Sequence, residues 1–253
     1  MLVAAVAAAS TGLLNEHLIY GGTCPYSVAF AGSAARLLAS AASRSLPGAG
    51  ELAACAPSAC AYLASLYLNC AAYELGVSAM THSLVRACSF FALAALGFRT
   101  MTRARWTSVA LGVLGIALTA GAAGPESALG IAALVASAAA GAALLSLQGR
   151  SKVPPSRHLC CIHLLSAAFV LPAAGRRSEL LAPSTLAAGA ANALCSELIA
   201  ALVGSRGAVA GGLALSLRKA LSVCASSVYH RSSSAPLHWA GLAACLLAAW
   251  VYE

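Results

Sequence analysis

The sequence predicts an all-α polytopic membrane protein, with about ten transmembrane helices arranged as two inverted five-helix repeats. Three observations carry this expectation. Hydrophobic residues make up 60% of the 253 residues and charged residues only 9%, where a soluble domain carries roughly 25% charged residues. The apolar runs are near-continuous and of helix length, whereas a transmembrane barrel needs segments of about ten residues with alternating polarity. A polar and aromatic pattern in the first half also recurs in the second.

Loop signals divide the chain into segments near 2–19, 24–43, 52–71, 76–98, 106–123, 127–148, 158–174, 184–204, 207–229 and 236–252. Pro47, Pro125, Pro154-Pro155, Pro183 and Pro236 fall at or near these breaks, where a missing N–H interrupts no buried ladder. Met1–Leu14 has no positive region ahead of it and reads as part of a first span, not a cleaved signal. Ala, Gly and Ser are abundant in the spans, and small side chains let transmembrane helices approach closely. The chain is expected to be one transporter domain in the lipid bilayer, with repeat one at 1–123 and repeat two at 124–253.

With both termini on the cytosolic side, the cytosolic loops hold Arg44, Arg99, Arg103, Arg105, Arg150, Lys152, Arg157 and Arg206, and the opposite loops hold Arg176, Arg177 and Arg231. Basic residues favour the cytosolic face, so this orientation is the expected one. The same placement, in short loops or inside spans, argues against nucleic acid as a partner despite the net charge of +8. The ten cysteines form no CxxC pair and read as small buried hydrophobes.

The repetition runs from Gly76, Arg86, Phe98-Arg99 and Trp106 to Gly207, Arg218, His230-Arg231 and Trp239, an offset of about 132 residues. With five spans between equivalents the copies have opposite orientation, and transporters built this way bind substrate at the repeat interface. Arg86 and the pair Arg218-Lys219 lie inside apolar stretches, where an unpartnered cation costs about 2.5–3.5 kcal/mol on insertion scales. Ser78, His82, Arg86 and Ser89 share one helix face, and Gly212, Ser216, Lys219, Ser222 and Ser226 share another. Two such stripes face to face form an electropositive cleft for phosphate oxygens. Glu16 and Glu197 are the candidate acid partners within the spans, which leaves a structural ion pair as the competing reading. Arg218 points about 100° from Lys219 and suits a structural or gating role. Arg36, nearer a span end, is able to extend its charge toward the interface and is left aside.

His158, Cys160, Cys161 and His163 lie close in sequence, but their spacing fits no zinc-finger or HExxH pattern. No metal and no cofactor is expected, and His163 reads as polar packing. An enzyme is disfavoured: the chain has no Asp, no GxxxxGK[ST] loop and no GxSxG elbow. Binding and translocation remain, with no catalytic residue.

Three stretches resemble one known family. They are THSLVRACSFFALAALGFRTMTRARWTSVALGVLGIAL, with its His-x-x-x-Arg helix and basic loop; LALSLRKALSVCASSVY, with Leu-Arg-Lys; and LHWAGLAACLLAAWVYE, with His-Trp-x-Gly. Together they are similar to nucleotide-sugar transporters of the drug/metabolite transporter superfamily, of the UAA type that carries UDP-N-acetylglucosamine and UDP-xylose. The resemblance implies ten helices in two inverted repeats and exchange of a UDP-sugar, UDP-N-acetylglucosamine foremost, against UMP across the Golgi or endoplasmic reticulum membrane. It implies a substrate site at Arg86, Arg218 and Lys219; His82, Ser216 and Ser222 on the same helix faces are expected to add donors, and Asn69 or Asn192 to orient sugar or base. A homodimer is left open. The chain departs from the family pattern at Glu74, in the hydroxyl-poor lead GAVAGGLALS and in its short loops. Two alternatives follow: a carrier or exporter of another small anionic metabolite on this fold, or a degenerate membrane scaffold that transports nothing.

Overall fold

The computed structural model describes residues 11, 14–15, 18–19, 21–42, 46–77, 102–120, 127–173, 177–208, 210–212, 214–215, 221 and 236–252. The described secondary structure is entirely helical. In chain order it comprises α1 (Pro25–Ala42), α2 (Ala49–Glu74), α3 (Arg103–Ala120), α4 (Ala128–Arg150), α5 (Pro155–Val170), the short α6 (Arg177–Leu180), α7 (Pro183–Arg206) and α8 (Pro236–Tyr252). Residues Leu171–Ala173 extend α5 by one 3-10 turn. Among the described residues, four helices are long and apolar enough to cross a membrane, namely Ala49–Glu74, Ala128–Arg150, Pro155–Ala173 and Pro183–Arg206.

Local chemistry sets the helix ends. Pro25, Pro155, Pro183 and Pro236 open α1, α5, α7 and α8, positions where the absent N–H would have no intrahelical partner and the fixed φ suits a helix. Ser127 caps α4 by accepting from the Gly130 N–H at 3.3 Å. Glu51 reaches back to accept from the Gly48 N–H at 3.0 Å, so α2 begins three residues earlier than the apolar run at 52 suggested. At the far end of α7 the chain turns through Gly207 at φ +87°, a conformation a β-carbon would disfavour. Pro57 lies inside α2, a placement the loop-centred reading of prolines did not anticipate. It removes one backbone donor from the helix ladder.

Burial is arranged inside out. On α4 the inward face carries Gly130, Leu134, Ser137, Ala138, Ala142 and Leu145, while Leu129 is 68% and Val135 55% exposed. Phe169 and Leu194 also face outward. Contiguous apolar exteriors around small and hydroxylated interiors suit lipid as the surrounding solvent, and the chain is membrane-embedded.

Packing pairs α3 with α8, α2 with α4, α1 with α7, α2 with α5, and α1 with α5. Where α1 crosses α7, a β-carbon on Gly189 would lie 2.6 Å from the Ala31 carbonyl carbon, so the two backbones meet directly. Between α2 and α4, Ser65 Oγ donates to the Ser137 carbonyl at 3.1 Å and Ser137 Oγ to the Ser65 carbonyl at 2.8 Å. Ser108 Oγ donates to the Ala248 carbonyl at 2.6 Å, tying α3 to α8. The expected segments 76–98 and 207–229 fall mostly outside the described residues, and of 2–19 only 11, 14–15 and 18–19 are described, all helical.

Candidate functional site

A cavity of about 350 Å³ opens where α1, α2, α4, α5 and α7 converge. It falls within the range of small-molecule sites, about 300–1,000 Å³. Its polar wall is made of Asn15, Tyr62, Ser65, Asn69, Gln148, His163, Asn192 and Ser196, and its apolar wall includes Val28, Leu66, Leu144 and Ile162. Among the described residues that line it there is no Arg, Lys, Asp or Glu.

The amides of Asn15 and Asn192 bond reciprocally: Asn15 Nδ2 donates to Asn192 Oδ1 at 2.9 Å and Asn192 Nδ2 to Asn15 Oδ1 at 3.0 Å. Each amide has two donor hydrogens and an oxygen with two lone pairs. The exchange uses half of that capacity and orients the rest. Thr11 Oγ1 donates to the Ala191 carbonyl at 3.4 Å and steadies the same contact.

His163, 7% exposed, packs edge-on against Tyr62 with ring centroids 5.3 Å apart. Its Nδ1 lies 3.0 Å from Ser33 Oγ, and Ser33 Oγ lies 3.2 Å from the Ala29 carbonyl. The expected polar packing is present, and the histidine also reaches the cavity wall.

Two latches tie the helices beyond the cavity. Near the C-terminal ends of α1 and α7, Arg36 forms an ion pair with Glu197 and donates to the Ser156 carbonyl at 3.1 Å. Arg36 is only 8% exposed, and its guanidinium reaches the first turn of α5, at the end of that apolar helix. A carboxylate on the neighbouring helix and the first turn of α5 hold its guanidinium inside, and this partner makes burial tolerable. Toward the other end, Tyr67 Oη donates to the Phe169 carbonyl at 2.6 Å and the Tyr67 ring packs against Tyr26. There Glu179 accepts from the Cys24 N–H at 3.2 Å and from Ser27 Oγ at 3.4 Å, placing a carboxylate at the positive end of α1.

Of the residues singled out from sequence, Asn69 and Asn192 line this one cavity. Arg86, His82, Arg218, Lys219, Ser216 and Ser222 lie outside the described residues, as do Ser78, Ser89 and Glu16. Gly212 is buried. Asn15, Tyr62 and Ser65 were not singled out. Asn15 carried a signal all the same, since a neutral amide in an apolar span seeks a partner. His158 and His163 do not converge on a metal. His158 Nδ1 lies 2.9 Å from Ser151 Oγ and 3.6 Å from Cys55 Sγ, and no metal-holding group of three His, Cys, Asp or Glu occurs among the described residues.

No family model and no curated protein matches the chain. Its fold does match solved structures, 27 chains in all. One crystal structure of a protein superimposes with a TM-score of 0.72 at 18% identity, covering 100% of this chain and 95% of its own. At that identity the likeness shows the fold alone.

Proposed function

We propose that the chain is a nucleotide-sugar antiporter, moving a UDP-sugar, UDP-N-acetylglucosamine foremost, into the lumen of the Golgi or endoplasmic reticulum in exchange for UMP. The cavity carries this reading. It lies where helices from both halves of the chain converge, with Asn69 on one half and Asn192 on the other. Its amides and hydroxyls suit the neutral parts of such a ligand, the sugar and the base. Arg86, Arg218 and Lys219, on the adjoining segments, supply the charge for the diphosphate, with His82, Ser216 and Ser222 as further donors.

The pairing of helices supports ten segments in two inverted repeats. In segment order, α2 on α4 is third on sixth, and Thr11 and Asn15 on α7 is first on eighth. Likewise α1 on α7 is second on eighth, and α2 on α5 is third on seventh. Exchanging each segment for the one five places away turns each of these pairings into the other of its couple, and it maps α3 on α8 and α1 on α5 onto themselves. The reciprocal clasps follow the same exchange, Ser65 with Ser137 in one pairing of the first couple and Asn192 with Asn15 in its other. Alternating access then follows from rocking of the repeats about the site, with both termini cytosolic.

The alternative of a carrier for another small anionic metabolite stands beside it because fold does not fix substrate, and the neutral lining among the described residues extends it to uncharged polar ligands. Competition in proteoliposomes separates the two. The uridine reading expects UMP to inhibit uptake of labelled UDP-N-acetylglucosamine while GMP and CMP leave it unchanged. Equal inhibition by all three, or by none, removes it.

A further inference from the structure

The hydrogen-bond chain Ala29–Ser33–His163 determines which imidazole nitrogen is free. Ser33 has one hydroxyl proton. Its Oγ lies 3.2 Å from the Ala29 carbonyl, which accepts only, and 3.0 Å from His163 Nδ1. Both contacts are satisfied together only when Ser33 donates to Ala29 and accepts from Nδ1–H. The neutral ring then carries its lone pair on Nε2. His163 lines the cavity, and no hydrogen bond joins its Nε2 to a described residue. His158 behaves otherwise, with its Nε2 buried and without a partner among the described residues.

We propose that His163 is a specificity-determining residue, whose Nε2 accepts a hydrogen bond from a neutral donor of the bound ligand, a sugar hydroxyl or the imide N–H of a base, and that Ser33 positions it by holding the proton on Nδ1. The assignment deepens the carrier reading and rests on it for the identity of the ligand. The chemistry is selective. A bare acceptor facing a cavity welcomes O–H and N–H groups and disfavours a phosphate oxygen, so the ligand's neutral part lies at α5 and its charged part elsewhere. The Tyr62 ring, nearly perpendicular to the imidazole, packs against it.

The test uses the full chain with 15N-labelled histidine, in detergent and in proteoliposomes. Spectra of the wild type should show one of the six histidines, lost in His163→Asn, as the neutral ring protonated on Nδ1. In Ser33→Ala that ring should redistribute its proton. Uridine and N-acetylglucosamine are then added separately. A shift of the Nε2 signal with uridine but not 3-methyluridine assigns the imide N–H, and a shift with the sugar assigns a hydroxyl. His163→Asn places an amide N–H near the position of Nδ1 but has no acceptor at Nε2. It should unfold at the wild-type temperature while KM for UDP-N-acetylglucosamine rises about tenfold, the loss of one hydrogen bond. Protonation on Nε2, silence of its signal to both probes, or a wild-type KM in a folded His163→Asn overturns the proposal. If the wild type exchanges no nucleotide sugar yet uridine or the sugar still shifts Nε2, the antiporter reading fails and the acceptor stands.

Discussion

At the scale of single residues, the ion pair of Arg36 with Glu197 shows how a helical bundle retains a buried charge. An isolated guanidinium there is costly, and a carboxylate together with the Ser156 carbonyl offsets that cost. Removing one partner should hurt more than removing both. Glu197→Ala is expected to destabilise the protein by roughly 3 kcal/mol, the lower part of the range for a broken buried pair because Glu197 is partly exposed. Arg36→Met combined with Glu197→Leu should recover most of that loss. Denaturant unfolding in mixed micelles measures both, and equal losses in the single and double variants would show that the pair is a surface contact. The hydroxyl clasp is smaller in scale. Ser137→Ala removes one donated bond between α4 and α2 and should cost about 0.6 kcal/mol, as interhelical hydrogen bonds in bilayers do. Sequence placed Glu197 among the candidate acid partners but not with Arg36. Helical spacing tells which residues share a face, and only the packing of α1 on α7 tells which faces meet.

At the scale of helices, contact depends on small side chains. Gly189 permits α7 to lie directly on Ala31 of α1, and Gly189→Ala forces that crossing apart. The expected cost is 1–3 kcal/mol, about that of overpacking a filled interior. Gly50→Ala, with open space around it, is the control and should cost nothing or stabilise slightly. A melting-temperature comparison checks the pair; equal behaviour would mean that the α1–α7 crossing is loose. The helices themselves were legible because hydrophobicity, prolines and caps act locally. The described helices α1 to α5, α7 and α8 fall on the apolar segments at 24–43, 52–71, 106–123, 127–148, 158–174, 184–204 and 236–252. Two features were not legible. The short α6 holds Glu179 against the first turn of α1 through contacts far apart in sequence, and Pro57 lies inside α2, exposed on its outer face, where a proline in an apolar run marks no break.

At the scale of the whole molecule, the chain surrounds a polar cavity with an apolar exterior. Asn69 and Asn192 could be picked out as polar residues in apolar spans. The reciprocal bond of Asn192 to Asn15 could not, because it joins residues 177 positions apart. If Lys219 serves the ligand of that cavity, Lys219→Ala should reduce exchange at least tenfold with unchanged folding, since a charge-assisted bond to phosphate is worth more than 1.4 kcal/mol. Asn192→Ala should raise KM through the neutral part of the ligand. Uptake kinetics at equal reconstituted amounts, with unfolding temperatures alongside, check both, and loss of folding in step with loss of uptake would assign these residues to structure alone.

The most direct measurement is counterflow. Proteoliposomes holding the purified chain are loaded with UMP or left empty, and labelled UDP-N-acetylglucosamine is offered outside. The account predicts rapid label accumulation only in the UMP-loaded vesicles, abolished by Lys219→Ala. Uptake that is flat across nucleotide sugars and indifferent to the internal UMP would contradict it.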